Sequence, residues 1–214
     1  MKLPNAAHES GPWRIREIAP DFRLEDAWAL PAQGRLGDFQ TLLALMTTSD
    51  PTDAESLPTR VLWVLRDRLG RLLGLDGISG PADARDGAAG GPLPIPGTSE
   101  TSLSDRLPDD LRDTATDIRF ASLPFVSLYR TDVEFAAELS NRTVHGVLHL
   151  AWVDQGDGLY AGQMAVYVKP RGRLGSAYMT LIRPFRHLIV YPALMKRIER
   201  TWDARVEQPR RAAV

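Results

Sequence analysis

The sequence predicts an α+β fold in which a curved antiparallel sheet wraps on a long C-terminal helix, with two shorter helices beside it. Residues 125–169 divide into short runs with the alternating pattern typical of β-strands. Residues 174–205 carry apolar residues that recur mainly every seven positions, which predicts an amphipathic helix. Such a helix needs a sheet against which to bury its apolar side, which consists of Leu174, Ala177, Leu181, Leu188, Tyr191, Met195, Ile198 and Trp202.

A single domain is predicted over residues 13–206. Residues 1–12 are polar and contain two prolines, so we expect a disordered lead-in, and residues 207–214 are expected to form a disordered tail. Residues 76–93 are rich in glycine and proline and predict a flexible loop. The more apolar residues 94–97 that follow are either a plain linker or a lid over a binding site.

The first part of the domain is predicted to combine two short strands with the two shorter helices. The strands are residues 13–19 and 26–30. Asp38 can cap a helix whose apolar positions include Phe39 and Leu42, and a second helix is predicted over residues 58–74. Inside the long C-terminal helix, Pro184 and Pro192 predict a kink or a step.

Turn chemistry predicts a pairing for the later strands, which are expected at residues 125–130, 134–140, 144–153 and 160–169. With a two-residue turn at Asn141-Arg142, Leu139 faces Val144. With a five-residue loop at residues 154–158, Leu148 faces Met164. Both turns give the same separation into an apolar face and a face with two polar rows, and a one-residue slip would scramble it.

The polar rows are the strongest candidate for chemistry. They are Glu134–His149–Gln163 and Glu138–His145–Tyr167. A carboxylate beside an imidazole tunes the ring as an acid or base, so His145 or His149, oriented by Glu138 or Glu134, is a candidate catalytic residue. The alternative interpretation is a solvated convex face of the sheet. The two histidines lie about 13 Å apart along one strand, too far for one ion, so no metal site is predicted.

Composition excludes several classes of protein. The chain has 214 residues, 43% apolar and 25% charged, and its net charge of −1 gives no bias towards nucleic acid or an anionic membrane. The absence of cysteine excludes disulfides and thiolate catalysis. No signal peptide, stable membrane insertion or cofactor motif is predicted, so the expected location is the cytoplasm. Arg183, Arg186, Arg197 and Arg200 share one side of the C-terminal helix, either as a phosphate-binding face or as a solvated surface.

The C-terminal half resembles an uncharacterised bacterial family, domain of unknown function 2867. The likeness rests on YMTLIRPFRHLIV at residues 178–190, GQMAVYVK at 162–169, PIPG at 94–97 and DRLP at 105–108. The order of elements also resembles the helix-grip fold of the START and Bet v 1-like superfamily. That resemblance implies a cavity between sheet and helix, which binds apolar ligands or hosts cyclase or hydrolase chemistry. Relatives are often fused to a nucleotide-sugar-epimerase-like reductase domain, whose Gly-x-Gly-x-x-Gly motif this chain lacks.

Three hypotheses for the function follow. The first is binding of a small, largely apolar molecule between sheet and C-terminal helix. The second is a cyclase, isomerase or hydrolase that uses a Glu–His pair. The third is a non-catalytic interaction module for a separate reductase, which would expose an apolar patch or form a homodimer. For the first hypothesis, the predicted cavity wall comprises Phe135, Leu148, Trp152, Tyr160, Met164, Tyr178 and Phe185.

Overall fold

The computed structural model describes residues 1–48, 93–121 and 123–212, with side chains up to residue 205. The strands are β1 (Lys2–Leu3), β2 (Arg23–Gly34), β3 (Val126–Arg130), β4 (Glu134–Ser140), β5 (Val144–Gly156) and β6 (Leu159–Pro170). The α-helices are α1 (Asn5–Glu9), α2 (Ile15–Ile18), α3 (Phe39–Thr48), α4 (Gly172–Phe185) and α5 (Tyr191–Ala212). The predicted second helix at residues 58–74 and nearly all of the predicted loop at 76–93 lie outside the described residues.

The described strands form one six-stranded antiparallel sheet in the order β1-β2-β6-β5-β4-β3. β3 to β6 follow one another as hairpins, and β2 pairs with the free side of β6. The long helical segment that follows β6 packs through α5 on β2. The prediction of an α+β protein with an antiparallel sheet and a long C-terminal helix is therefore confirmed. The arrangement is consistent with a helix grip.

The predicted register is wrong by two residues in both hairpins. Leu139 faces Gly146 rather than Val144, and the β5–β6 pairing is displaced by the same amount. The first turn is wider than predicted because the Asn141 side-chain oxygen accepts hydrogen bonds from the backbone N–H groups of Thr143 and Val144, both at 2.9 Å. Since side chains alternate with period two, the displacement leaves every residue on its predicted face.

One face of the sheet, which we call the helix face, packs against α3 and α5. Phe135, Leu148, Leu150, Trp152 and Met164 from the strands are all buried there. The prediction of α3 is confirmed, because Phe39, Leu42 and Met46 are buried on the same cluster. From α5 the cluster receives Tyr191, Ile198 and Trp202.

The opposite face is covered by residues 1–22 and 93–111, which we call the covering segments. Trp13, Ile15, Ile18, Phe22, Ile95, Leu103, Leu107 and Leu111 are buried on it. Residues 1–12, predicted to be disordered, form β1 and α1. The strand predicted at residues 13–19 is wrong, because these residues contain the short helix α2. Because these elements are short and polar, nothing in the sequence indicated that the sheet holds them in place.

The C-terminal helix is divided by a π-helical turn at Arg186–Val190, and its predicted apolar stripe is correct only after that turn. Leu174, Leu181 and Leu188 are at least half exposed, whereas Gly175 and Met179 are the buried residues of α4. A π turn inserts one extra residue into the helix. The residues before it therefore do not continue the seven-residue apolar repeat of the residues after it. Gly175 also fixes the phase, because a Cβ there would lie 2.2 Å from the carbonyl oxygen of Thr143. α5 extends to Ala212, into the predicted disordered tail.

Candidate functional site

Glu134 lies at the centre of a buried hydrogen-bond network beneath the covering segments. Its carboxylate accepts hydrogen bonds from the backbone N–H groups of Arg14 and Ile15, both at 3.0 Å, at the start of α2. It also accepts from the Tyr129 hydroxyl at 2.5 Å and from His149 Nε2 at 2.9 Å. Burial by itself would raise the pKa of Glu134, but the hydrogen bonds and charge of its partners, His149 first, outweigh burial and lower it.

Glu138, four residues further along β4, repeats this arrangement. Its carboxylate accepts hydrogen bonds from His145 Nε2 at 2.8 Å, from the Leu103 backbone N–H at 3.0 Å and from the Ser102 hydroxyl. Leu103 begins a 3-10 turn that ends at Arg106. Each glutamate therefore binds the first N–H groups of a helical turn, where negative charge is favourable.

The structure brings each predicted Glu–His pair together, although in diagonal rather than directly opposite positions. The interpretation as a solvated face is wrong, because His145 and His149 are fully buried. Their Nδ1 atoms have no hydrogen-bond partner within the described part of the chain. Chemically, the pairs anchor the covering segments, and a substrate could contact the two rings only if those segments moved.

His8 joins the same network, which the sequence did not indicate. It is fully buried, stacks on Trp13 at 5.7 Å between ring centroids and meets the edge of His149 at 5.1 Å. Its Nδ1 lies 3.0 Å from Oε1 of Gln163 and donates to it. Burial, followed by the charge of His149, lowers the pKa of His8 from 6.5 to about 4. A histidine in a five-residue helix has no periodicity that could reveal its burial.

The predicted apolar wall is only partly assembled as expected. Phe135, Leu148, Trp152 and Met164 are buried in the helix-face cluster, and Tyr160 stacks on Trp152 at its edge. Tyr178 belongs to a separate cluster with Val144, Val168 and Met179, because α4 packs on a different part of the sheet. Phe185 is partly exposed. The stretch at 94–97, considered as a lid for this wall, lies on the other face, where Ile95 is buried.

A cleft of about 860 Å³ lies beside the edge strand β3. Its lining is mainly apolar and includes Ile118, Phe120, Leu123, Pro124 and Phe125, with Arg119 as a cation. Phe120 lies 6.2 Å from Phe135 between ring centroids and 5.3 Å from Phe125. Phe120 therefore connects the cleft to one of the predicted wall residues, although the cleft itself was not predicted.

A second charged cluster lies at the π-helical turn and centres on Asp26, which is fully buried. The carboxylate accepts from His187 Nε2 at 2.6 Å, from the Tyr191 hydroxyl at 3.3 Å and from Arg186. Burial alone would raise the pKa of Asp26, but the charges of Arg186 and His187 outweigh burial and lower it. Arg186, predicted on a basic face, thus belongs to a buried ion pair; the pattern of arginines could not reveal its partner on a distant strand.

Neither a metal cluster nor a membrane span is found in the described residues. No group of three or more histidine, aspartate or glutamate side chains there has the geometry to hold a metal ion. No helix of residues 1–48, 93–121 or 123–212 combines the length and apolar composition that a bilayer crossing requires.

Comparison with known proteins identifies a family but no activity. Neither the curated proteins nor the solved structures yield a match. A family model described as "Protein of unknown function (DUF2867)" matches residues 18–193, a range that includes both glutamate–histidine pairs, the cleft and the π-helical turn. The chain therefore belongs to the DUF2867 family of proteins of unknown function.

Proposed function

We propose that this protein binds a small, largely apolar molecule in the cleft beside β3. The observation that carries the proposal is the cleft's size together with its lining. Its volume of about 860 Å³ falls within the range of small-molecule pockets. Leu123 and Val126 are exposed at its margin, and a group of exposed apolar side chains around a concavity is a feature of binding sites.

Connection to the core supports the same proposal. Phe120 is buried in the helix-face cluster, and Phe125 packs against that cluster. A ligand in the cleft would therefore contact the same apolar core that α3 and α5 cover on the rest of the helix face. Arg119, which is exposed, would favour a ligand with an anionic group at its outer end. The proposal includes a helix-grip fold of the START and Bet v 1-like type, a cytoplasmic location and a bacterial origin, by analogy with the family resemblance.

The cleft can be tested with 1-anilinonaphthalene-8-sulfonate, an apolar anion whose fluorescence rises on binding. Leu123→Glu with Val126→Glu changes two exposed side chains and is expected to weaken binding roughly tenfold or more. A tenfold change corresponds to about 1.4 kcal/mol, less than the burial of one leucine side chain contributes. The measurement is a fluorescence titration at fixed protein concentration.

The matched control places the same charges at two other exposed apolar side chains, away from both proposed surfaces. Leu36→Glu with Leu159→Glu makes that change, and dye affinity should stay at the wild-type value. Equal affinity in the cleft variant and the wild type would contradict the proposal, as would loss of binding only in the control variant. Independently of the dye, native mass spectrometry of freshly purified protein would give the mass of any retained compound.

The Glu–His enzyme hypothesis receives less support from the geometry. The carboxylates of Glu134 and Glu138 accept hydrogen bonds from backbone N–H groups of the covering segments, and those segments bury both histidines. A role in acid–base catalysis would require the covering segments to open before a substrate could approach.

A second candidate function, self-association, is favoured by the exposed leucines of the C-terminal helix. Leu174, Leu181 and Leu188 are spaced at seven residues and are at least half exposed. Such a row is suited to pack against a second copy of the chain. Light scattering after size-exclusion chromatography should show a dimer for the wild type and a monomer for Leu181→Glu. A wild-type monomer at high concentration would exclude this function.

A further inference from the structure

Counted over the described residues, the Asp26 cluster carries more positive charge than its single carboxylate neutralises. Lys2 Nζ lies 3.6 Å from Asp26 Oδ1, and Arg186 pairs with Oδ2 of the same group. Two cationic side chains therefore share one anion, with His187 as a third contact of that anion. Charge balance leaves an excess of at least one positive charge at this position, which favours a further anion.

Hydrogen-bond donors also exceed acceptors in the cluster. Arg186 gives Asp26 only its Nη2, and the Arg186 Nε atom is buried without a hydrogen-bond partner within the described residues. The indole Nε1 of Trp28 is likewise buried and unpaired in that part of the chain. The Trp28 ring lies 4.8 Å from Tyr191 and 5.7 Å from His187 between centroids, so this donor belongs to the same cluster. Buried N–H groups are normally paired, so the cluster lacks acceptors.

The cluster reaches solvent through its cations. The side chains of Lys2, His187 and Arg186 are 40%, 20% and 13% exposed, whereas Asp26 is fully buried beneath them. Consecutive residues of an α-helix point about 100° apart, yet Arg186 and His187 both contact Asp26. The π-helical turn that begins at Arg186 accompanies this convergence, and such turns recur at functional sites.

We propose that Lys2, Arg186 and His187 form a binding site for the oxyanion group of a small molecule, a carboxylate or a phosphate. Asp26 holds Arg186 and His187 in place from below and leaves their outer sides to the ligand. The oxyanion supplies the negative charge and the acceptor oxygens that the cluster lacks. This site lies next to β1 and β2, at the opposite edge of the sheet from the cleft beside β3, and does not depend on that cleft.

Carbethoxylation of histidine by diethyl pyrocarbonate tests the site directly. The chain has four histidines, and His8, His145 and His149 are fully buried, so only His187 should react in the folded protein. Reaction is followed by mass spectrometry of the peptide that contains His187, with sodium phosphate, sodium acetate or sodium chloride at equal ionic strength. A bound oxyanion shields the ring, so the rate should fall roughly twofold once its concentration equals Kd.

Two variants make the outcome decisive. Lys2→Gln removes a partly exposed cation and should abolish or strongly reduce the protection. Lys196→Gln makes the same change at an exposed position of α5 and should leave it unchanged. Protection by phosphate alone or acetate alone supports the site and identifies the ligand class. Equal rates in all three salts, an unreactive His187, or equal protection in Lys2→Gln and the wild type would overturn the proposal.

Discussion

Glu134→Ala is expected to lower the free energy of unfolding by about 3–5 kcal/mol, because it removes the shared charged acceptor of a buried hydrogen-bond network. The substitution would leave His149, the Tyr129 hydroxyl and the N–H groups of Arg14 and Ile15 without their common acceptor. The loss should concentrate on α2, because the carboxylate binds the first N–H groups of that helix. Urea denaturation measures the global change, and hydrogen exchange of the Ile15 amide reports the local one.

An exposed glutamate in the same region provides the control. Glu17 lies within α2 and pairs with Arg14 at 3.1 Å, but its side chain is largely exposed. Glu17→Ala should change stability by at most about 1 kcal/mol, as for other surface ion pairs. Glu134→Gln keeps the side-chain volume and should also destabilise, because its amide N–H₂ would face donors. Equal effects of Glu134→Ala and Glu17→Ala would show that the buried network does not anchor α2.

Acidification is expected to remove roughly 3 kcal/mol of stability through His8, since its pKa falls from 6.5 to about 4 on folding. The unfolded chain binds a proton at His8 below about pH 6.5, whereas the folded protein resists it until about pH 4. The contribution is therefore fully present above pH 6.5 and is lost as the pH falls from 6.5 to 4. Urea unfolding at a series of pH values across this window measures the slope.

The contribution of His8 can be isolated with His8→Gln. Glutamine can still hydrogen-bond Gln163 but does not titrate, so the variant should lose less stability than the wild type between pH 6.5 and 4. Protonation of Glu134 also destabilises the folded protein on acidification, because the pKa of Glu134 is lowered on folding. This contribution is common to both proteins. Parallel pH profiles for the two proteins would contradict the assignment to His8.

Side-chain periods explain which parts of the fold were predictable. The faces of β4 to β6 follow from alternation alone, so Phe135 and His149 were assigned correctly to opposite sides despite the register error. The helix α3 was indicated by its apolar spacing. The pairing of Glu134 with His149 was found because diagonal neighbours across two strands are still within reach of long side chains.

The unpredicted elements depend on contacts between distant parts of the chain. α2 is only four residues long and begins where Glu134, 119 residues later, binds the Ile15 N–H. The Asp26–His187 contact joins β2 to the π-helical turn across 161 residues. Neither contact has a local pattern, since each requires the sheet to be assembled before its two members meet.

The α+β class, the two faces of the sheet and the long C-terminal helix follow from side-chain periods of 2 and 3.6 residues, so the sequence was enough to predict them. The face that the covering segments bury depends on tertiary packing, and so does the burial of His145 and His149, for which the sequence left a catalytic pair and a solvated face open. Tertiary packing also decided the phase of α4, where the close approach of Gly175 to Thr143 turns Leu174 and Leu181 outward. Burial depends on which segments pack together, and a local repeat does not specify that.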